Sequence, residues 1–277
     1  MTSHVAFHER CDAFRRLHAS GCFVMPNPWD AGSARVLVQL GFEALATTSA
    51  GFAWSLGRPD NGVTLDEALA HLRTIAASVA VPVNADFEGG FAVEPEAVEA
   101  NVVKASATGI AGLSIEDCSG DRDQPLFDFA LSVERVRAAR RALDARASPV
   151  LLTARSEGFR FGCPDLHETI RRLVAYAEAG AECLYAPGVH TLAEVAAIVT
   201  AVAPRPVNVL VGADVATVAS LAAIGVRRIS VGGALARAAW AGFLSAASEI
   251  AAHGTFTELA RAVPFADLNG RFGPAQR

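Results

Sequence analysis

The chain has 277 residues, of which 52% are hydrophobic and 19% are charged, and its formal net charge is −5. A chain of this composition can bury a large core, which excludes intrinsic disorder. The basic residues are scattered and form no stripe, so neither nucleic acid nor a membrane surface is expected as a partner. Its five cysteines include no CxxC pair, which argues against a disulfide framework and a structural zinc site.

The first twenty residues are largely polar, and no apolar run of 18 residues occurs anywhere in the sequence. A secretory signal or a transmembrane helix would need such an apolar segment. We therefore expect a cytoplasmic protein whose cysteines stay reduced.

Short apolar segments alternate with segments of helical periodicity along the whole chain. The predicted strands are 22–25, 44–48, 82–86, 112–116, 149–154, 183–186, 206–211 and 228–231. The predicted helices are 30–40, 65–79, 95–108, 132–145, 164–179, 192–202, 215–224 and 234–252. Four of these helices are followed by a glycine that suits a left-handed C-cap: Gly41, Gly109, Gly180 and Gly225.

Eight consecutive β-then-α units without a break in composition predict one (β/α)8 TIM barrel, spanning residues 1–254. The alternative is a doubly wound sheet, which often carries a glycine fingerprint after its first strand, but residues 26–30 read PNPWD. Residues 255–277 are predicted to form a C-terminal helical extension. Because this extension is rich in apolar side chains, we expect it to pack on the barrel or on a neighbouring subunit.

In barrel enzymes the reacting groups stand at the carboxyl ends of the strands. Four carboxylates are expected at this end: Asp60, Asp86, Glu88 and Glu116. Like charges at close range raise one another's pKa, so a cation among them would let several stay ionised. An all-oxygen ligand set without His or Cys suits Mg²⁺, with Mn²⁺ as a second possibility. Acids at strand ends also act as helix caps or as partners of loop arginines, and this alternative stays open.

Two further polar residues are expected near these carboxylates. Arg155 directly follows the fifth strand, where its guanidinium can hold a carboxylate by two hydrogen bonds. Asn84 precedes Asp86 by two residues, so both side chains point to the same face of the strand. Asn84 either binds a ligand oxygen or is a satisfied interior amide.

A set of short motifs follows the predicted strands in order. They are WDAGSAR at 29–35, GF at 41–42, SAG at 49–51, LGRPD at 56–60, PVNADFEGGF at 82–91, GLSIED at 112–117 and ARSE at 154–157. Through these motifs the chain resembles the isocitrate lyase and phosphoenolpyruvate mutase superfamily, from about residue 24 to the last barrel helix.

The resemblance implies a Mg²⁺ site in which Asp86 contacts the metal directly, while Asp60, Glu88 and Glu116 act largely through metal-bound water. It also implies that a 2-oxo acid or its enolate binds there as the substrate. Its carboxylate would be held by Ser49, Ala50 and Gly51, with Arg155 balancing charge. Asp86, Glu116 and Arg155 are thus the expected catalytic group, since the metal would stabilise a developing oxyanion.

The sequence departs from the lyases of this superfamily in three places. Their Lys-Lys-Cys-Gly-His lid motif, whose Cys works in proton transfer, is absent, since residues 118–127 read CSGDRDQPLF. Cys118 lies too close to Glu116 to replace it, and a small buried thiol is expected. Residues 186–188 read APG where the lyases carry a Glu after strand six. Their strand-seven Asn is also missing, and Asn208 is the expected substitute for substrate binding.

The expected function is therefore a Mg²⁺-dependent enzyme that acts on a small oxo- or hydroxy-carboxylate, by cleavage of a carbon–carbon bond. Carbon–phosphorus chemistry, or decarboxylation or hydrolysis of an oxo acid, is the first alternative. A non-catalytic barrel that binds a 2-oxo acid is the second. The resemblance also implies a homo-oligomer, either a dimer or a dimer of dimers.

Two other features leave alternatives open. His190 could be a general acid or base, or could simply precede a helix capped by Thr191 with Glu194. Gly232 and Gly233 could start a phosphate-binding helix or could permit close packing.

Overall fold

A computed structural model describes residues 2–212 and 216–273 of the chain. Its strands are β1 (Phe23–Met25), β2 (Leu45–Ala46), β3 (Val83–Asp86), β4 (Gly112–Glu116), β5 (Leu151–Arg155), β6 (Cys183–Tyr185), β7 (Val207–Leu210) and β8 (Arg228–Ser230). Its helices are α1 (Thr2–Ala19), α2 (Ala31–Gln39), α3 (Ser49–Ser55), α4 (Leu65–Ser78), α5 (Pro95–Ser106), α6 (Phe129–Asp144), α7 (Leu166–Glu178), α8 (Leu192–Val202), α9 (Val218–Ala223), α10 (Ala234–His253) and α11 (Phe265–Phe272), with a 3₁₀ helix at Thr257–Arg261.

The eight strands are parallel and form one sheet in the order β1-β8-β7-β6-β5-β4-β3-β2. Between β1 and β2 the sheet is bridged by a backbone hydrogen bond from Ala46 N–H to the Pro26 carbonyl, at 3.0 Å. The Asn27 side-chain amide donates to the Thr47 carbonyl, also at 3.0 Å. These bonds make a nearly closed barrel, and the predicted (β/α)8 fold is confirmed.

All eight predicted strands are present, but β2 is shorter than the predicted 44–48. The chain leaves the ladder because Thr48 caps α3 through a hydrogen bond from Gly51 N–H to its hydroxyl. Neither α3 nor α1 was predicted. The predicted helix 215–224 starts at residue 215, which lies outside the described residues, and the observed helix is Val218–Ala223.

Helix α1 covers the amino-terminal end of the barrel. Its apolar face carries Phe7, Cys11 and Phe14, which pack in one cluster with Phe23 and Met25 of β1. A Cβ at Gly112, the first residue of β4, would lie 2.6 Å from the Phe14 ring. The helix is therefore in close contact with the starts of strands on both sides of the barrel.

Helix ends follow the predicted local chemistry. The four glycines at the ends of α2, α5, α7 and α9 have φ between 90 and 106°, a left-handed conformation that costs glycine least: Gly41, Gly109, Gly180 and Gly225. Thr191 and Glu194 form a capping box at the start of α8, as predicted.

The carboxyl-terminal segment leaves the barrel after β8. In α10, Ala236 is buried, whereas Trp240, Phe243 and Leu244 are exposed. Phe265 in α11 is 85% exposed. The end of α11 touches α2, where the Gln39 side chain donates to the Arg271 carbonyl at 2.6 Å. In the described part of the chain, no helix has the length and apolar character needed to cross a membrane.

Alternation along the strands separates two layers of side chains. Leu113, Leu152 and Val209 face the helices and belong to the largest apolar cluster. The barrel interior is polar and buried instead, and its side chains include Asn84, Ser114, Thr153, Asn208, Arg228 and Ser230. Barrel interiors are usually filled with branched apolar residues. This polar interior lies beneath the carboxyl ends of the strands, where the candidate site is found.

Candidate active site

A cavity of about 530 Å³ opens at the carboxyl ends of the strands. Its lining includes most of the residues predicted to bind substrate or metal: Ser49, Ala50, Asp60, Asn84, Asp86, Arg155 and Asn208. Further lining side chains are Trp54, Arg160, Tyr185, His190, Arg228 and Arg237. These seven predicted residues therefore lie around one cavity, whereas the predicted Gly51, Glu88 and Glu116 are not among its lining residues.

Arg155 is the centre of this site. Its guanidinium forms ion pairs with Asp86 at 2.7 Å, Glu157 at 2.8 Å and Glu116 at 3.0 Å. The side chain is only 7% exposed. Burial opposes its charge, but Glu116, Glu157 and Asp86 together raise the pKa of Arg155 well above its ordinary value. Arg155 is thus a permanent cation joining three acids from β3, β4 and the segment after β5.

Asp86 is held from both sides. One carboxylate oxygen accepts the Arg155 bond, and the other accepts from the Ser49 backbone N–H at 3.0 Å and its hydroxyl at 2.9 Å. The Asp86 N–H donates to the Thr47 hydroxyl at 2.9 Å. The start of α3 and β5 therefore fix the orientation of this carboxylate, and Thr47, which follows β2, holds the Asp86 backbone.

The Ser49-Ala50-Gly51 segment forms the first turn of α3. Its donors were predicted to bind a substrate carboxylate. In this structure those of Ser49 bind Asp86, and the Gly51 N–H donates to the Thr48 hydroxyl at 3.2 Å. Ser49 and Ala50 line the cavity.

Glu88 has an unusual backbone and an unsatisfied side chain. Its φ is 48°, a left-handed conformation that is uncommon for residues other than glycine. Its Oε1 is buried without a hydrogen-bond partner. Burial, followed by the charges of Asp86 and Asp60, raises the pKa of Glu88 to about 8. A buried carboxylate oxygen without a donor is costly unless a cation or water meets it.

Glu116 and Glu157 are the buried acids of the site. Burial raises the pKa of Glu116 to about 8, although Arg155 lowers it. Burial also raises the pKa of Glu157, whose side chain is fully buried. Sequence reasoning assigned no role to Glu157, although it closes the ARSE motif. Its position two residues after Arg155 on an extended segment was the available signal, because such residues share a face.

Asp117 supports the cluster from behind. It accepts the Glu157 N–H at 2.8 Å, the Tyr176 hydroxyl at 2.7 Å and the Arg172 guanidinium at 3.2 Å. All of these groups are buried. Asp117 therefore ties the segment after β5 to helix α7, and its role is structural.

Asp60 lies at the rim and not among the buried acids. It pairs with Arg160 at 3.0 Å, so the loop before α4 is linked to the loop after β5 across the cavity mouth. Arg160 also lies 3.6 Å from Glu157. The alternative in which acids pair with loop arginines thus holds for Asp60 in this structure.

The fit to a metal ion can be judged from the donors. Among the described residues, no group of three His, Cys, Asp or Glu side chains lies close enough to enclose an ion. Five carboxylates nevertheless lie in one cluster with two arginines: Asp60, Asp86, Glu88, Glu116 and Glu157. Together with the orphaned Glu88 oxygen, this excess of acid fits a hard divalent ion held largely through water.

The interior residues lie directly beneath. Asn208 accepts from the Arg228 Nε at 2.9 Å and donates to the Ser230 hydroxyl at 2.9 Å. Asn84 donates to the Ala85 carbonyl at 3.2 Å, and its Oδ1 is buried without a partner. Both predicted amides therefore line the cavity floor. Tyr185 and Arg228 also line the cavity and were not predicted as site residues.

Two other features named in the sequence analysis lie at the edge of the cavity. His190 is exposed at the cavity rim, directly before the capping box of α8. Gly232 and Gly233 lead into α10, where Asn27 Oδ1 accepts the N–H groups of Val231 and Gly232 at 3.0 and 2.9 Å. A Cβ at Gly233 would lie 3.0 Å from the Trp54 ring, so close packing explains this glycine.

Comparison with known proteins agrees with the fold and with these residues. The model of the phosphoenolpyruvate phosphomutase family matches residues 14–251. The chain belongs to this family. The resemblance inferred from its motifs is thereby confirmed.

Three solved structures resemble the chain closely. One is a protein of unconfirmed lyase or mutase activity from Burkholderia cenocepacia J2315, with 48% identity, a TM-score of 0.94 and 98% of both chains covered. Another is 2,3-dimethylmalate lyase, a superfamily member with 26% identity, a TM-score of 0.84 and 97% and 94% of the two chains covered. The third is oxaloacetate acetylhydrolase in complex with oxalate, with 26% identity, a TM-score of 0.84 and 94% and 93% covered. The superfamily thus includes lyases, mutases and hydrolases.

Proposed function

We propose that the protein is a Mg²⁺-dependent enzyme that acts on a small 2-oxo or hydroxy carboxylate through an enolate, by carbon–carbon bond cleavage. The observation that carries this proposal is the buried cluster of Arg155 with Asp86, Glu116 and Glu157, at the edge of a cavity of about 530 Å³. The size of this cavity suits a small ligand.

The cluster supports this chemistry through its charges. When bound, Mg²⁺ would act as a Lewis acid that stabilises negative charge on the substrate oxygens. Asp86, Glu88 and Glu116 would hold it, with Asp60 at the rim; Mn²⁺ could substitute for it. Arg155 keeps these acids oriented and balances part of their charge. The N–H and hydroxyl of Ser49 are within reach of Asp86 and would exchange this partner for a substrate carboxylate.

Carbon–carbon cleavage is favoured by the shared fold with 2,3-dimethylmalate lyase. The runner-up is carbon–phosphorus chemistry, which the name of the matching family favours. The segment that carries the lid motif in the lyases is a short turned loop here. In it, the Ser119 N–H donates to the Pro125 carbonyl at 2.9 Å. The proton donor of the reaction must therefore come from another part of the site.

The remaining parts of the proposal concern assembly and location. We propose a cytoplasmic homo-oligomer that binds a small carboxylate and neither nucleic acid nor membrane. The exposed apolar side chains of α10 and α11 support the self-association, since water contact with such residues is unfavourable.

Calorimetric titration tests the proposal. Pyruvate, oxaloacetate, 2-oxoglutarate and oxalate are each titrated with Mg²⁺ and again with EDTA. We expect oxalate or one oxo acid to bind only with Mg²⁺, because the acids of the cluster otherwise repel an anion. Binding that survives EDTA, or no binding of any of the four acids, would refute the metal-dependent site. The acid that binds is then incubated with the protein and Mg²⁺, and the products are analysed. Cleavage products distinguish an enzyme from a protein that only binds the acid.

A further inference from the structure

The barrel interior contains a buried cation that the proposed function has not used. Arg228 is the first residue of β8 and is 1% exposed. Within residues 2–212 and 216–273, no carboxylate forms an ion pair with it. Its guanidinium instead donates to two neutral groups, the Asn208 Oδ1 at 2.9 Å and the Thr153 hydroxyl at 3.0 Å. A buried charge held this way is costly, which suggests a role beyond packing.

His18 of α1 is the third partner of Arg228. The His18 Nδ1 lies 2.7 Å from the Phe14 carbonyl, which can only accept, so Nδ1 carries the proton. Its Nε2 therefore accepts from Arg228 at 3.2 Å. Burial, followed by the charge of Arg228, lowers the pKa of His18 to about 3. The ring is thus a neutral acceptor that fixes the guanidinium from below.

Arg228 determines the direction of a chain of hydrogen bonds. Because a guanidinium has no acceptor, the oxygen of the Asn208 amide must face it and the NH₂ must face Ser230. This NH₂ donates to the Ser230 hydroxyl at 2.9 Å. Ser230 in turn acts on the Tyr185 side chain and lowers the pKa of the phenol, against the larger effect of burial. The Ser230 oxygen accepts from Asn208, so the Ser230 hydroxyl proton is available for the Tyr185 oxygen.

This series of hydrogen bonds ends at the Tyr185 oxygen, which acts in it as an acceptor. The phenolic proton of Tyr185 is therefore not donated to any member of the series. Tyr185 lines the cavity and pairs with Arg155 in the strand register between β5 and β6. The Arg155 guanidinium lies 5.2 Å from the centre of its ring. Burial raises the pKa of Tyr185 to about 12, so the phenol is protonated at neutral pH. A protonated phenol therefore belongs to the lining of the cavity, beside the Arg155 guanidinium.

The proposed reaction needs such a donor. Cleavage beside an enolate leaves a carbon that must take up a proton. The lid Cys that serves the lyases of this superfamily is missing, and Cys118 is not part of the cavity lining.

We propose that Tyr185 is the acid that protonates the enolate carbon, and that Arg228 is a positioning residue that acts on it through Asn208 and Ser230. This inference rests on the proposed function. In the step, the phenolic O–H bond breaks and its proton goes to carbon. The electron pair of the enolate C=C forms the new C–H bond, and the C=O bond is restored. The phenolate that remains faces Arg155 and the Ser230 hydroxyl, and water returns its proton.

Contact with the ligand can be tested by NMR, because the chain has only two tyrosines. The other, Tyr176, is buried against Asp117 and serves as an internal control. Tyrosine labelled with ¹³C at Cζ gives two signals, which Tyr185→Phe assigns. Addition of Mg²⁺ and oxalate should shift the Tyr185 signal and leave the Tyr176 signal in place. If calorimetry shows that oxalate binds while the Tyr185 signal does not move, the assignment is overturned.

Proton transfer is tested by exchange of the pyruvate methyl protons in D₂O with Mg²⁺, followed by ¹H NMR. General acids contribute about 10² to 10⁴-fold, so Tyr185→Phe should slow the exchange by this factor while it still binds oxalate. Asp66→Asn, at an exposed position in the first turn of α4, should exchange at the wild-type rate. Unchanged exchange in Tyr185→Phe, or a wild type that binds oxalate without exchanging pyruvate, would overturn the role of Tyr185. A wild type that does not bind oxalate refutes the proposed function itself, so the two failures are distinguishable.

The positioning chain is tested at Ser230. Ser230→Ala removes the donor to Tyr185 and should slow exchange, whereas Ser230→Thr keeps the hydroxyl and should restore it. Circular dichroism and thermal melting confirm that both variants fold. Equal exchange rates in the alanine and threonine variants would overturn the positioning role.

Discussion

Arg155 and Asp86 form an ion pair of 2.7 Å across the barrel mouth, between the ends of β5 and β3. The same guanidinium also binds Glu116 and Glu157, so one side chain orients three acids. An ammonium group cannot reproduce this geometry, because it is a single point charge without a planar fork.

We therefore predict that Arg155→Lys weakens Mg²⁺-dependent oxalate binding at least tenfold, which calorimetry measures. Arg155→Met should lower the free energy of unfolding by about 3 to 5 kcal/mol, because it leaves buried carboxylates without a cation. Arg171→Lys makes the same exchange in an exposed ion pair with Glu168 and is the matched control. Equal affinities of wild type and Arg155→Lys would show that the fork is not needed.

A second prediction concerns the metal. Asp86→Asn keeps the shape of the side chain and should abolish Mg²⁺-dependent binding while the barrel remains folded. Asp66→Asn, at an exposed position in the first turn of α4, should bind as the wild type does. Calorimetry and circular dichroism give the two measurements. Undiminished binding by Asp86→Asn would contradict the assignment of Asp86 as a metal ligand.

The buried acids predict how stability depends on pH without metal. Burial raises the pKa of Glu116 from 4.5 to about 8, and that of Glu88 is raised over the same range. At a pH between 4.5 and about 8, these two carboxyl groups are protonated in the folded protein and ionised in the unfolded chain. The free energy of unfolding in EDTA should therefore fall as pH rises through this window.

Denaturant unfolding in EDTA, measured at several pH values between 4.5 and about 8, checks this prediction. Glu116→Gln should reduce the slope of the free energy of unfolding against pH, because glutamine does not titrate. Mg²⁺ binds the ionised carboxylates, so its stabilising effect should be largest at the upper end of the window. A slope that is the same in wild type and in Glu116→Gln would contradict the prediction.

Self-association is predicted from the carboxyl-terminal helices. Phe243 and Phe265 are 60% and 85% exposed, and replacing either by Glu should lower the particle mass in light scattering. Leu40, which directly follows α2 and is 61% exposed, provides a matched substitution outside these helices. Leu40→Glu should leave the mass unchanged. A monomeric wild type would contradict the prediction.

Much of the fold could be predicted from local chemistry. Apolar runs marked the strands, and glycines and capping residues marked the helix ends, because these signals act within a few residues. Helix α1 was not predicted, although Phe7, Cys11, Phe14 and His18 follow a spacing of four, three and four that is typical of a helix face.

The site could be predicted only in part. Asp86, Glu116 and Arg155 stand at strand ends, so the barrel topology alone brings them together. The pairing of Asp60 with Arg160 depends on two loops that are 100 residues apart, and no local pattern encodes it. Arg228 is the first residue of β8, and this position predicts that it lies at the amino-terminal end of the barrel, away from the candidate site. Its long side chain reaches Asn208 on the cavity floor, and this contact is evident only from the structure.

The junction of β1 and β2 is the least continuous strand contact of the barrel. Seven of the strand contacts are continuous ladders, whereas this one depends on the Ala46 amide and the Asn27 side chain. Asn27 also holds the start of α10, and the β2 side carries the Thr47 hydroxyl that orients Asp86. Widening of the barrel at this junction would move the acids away from α10 while every ladder stays intact. The exchange rate of the Ala46 amide hydrogen would therefore report how often the cavity changes its width.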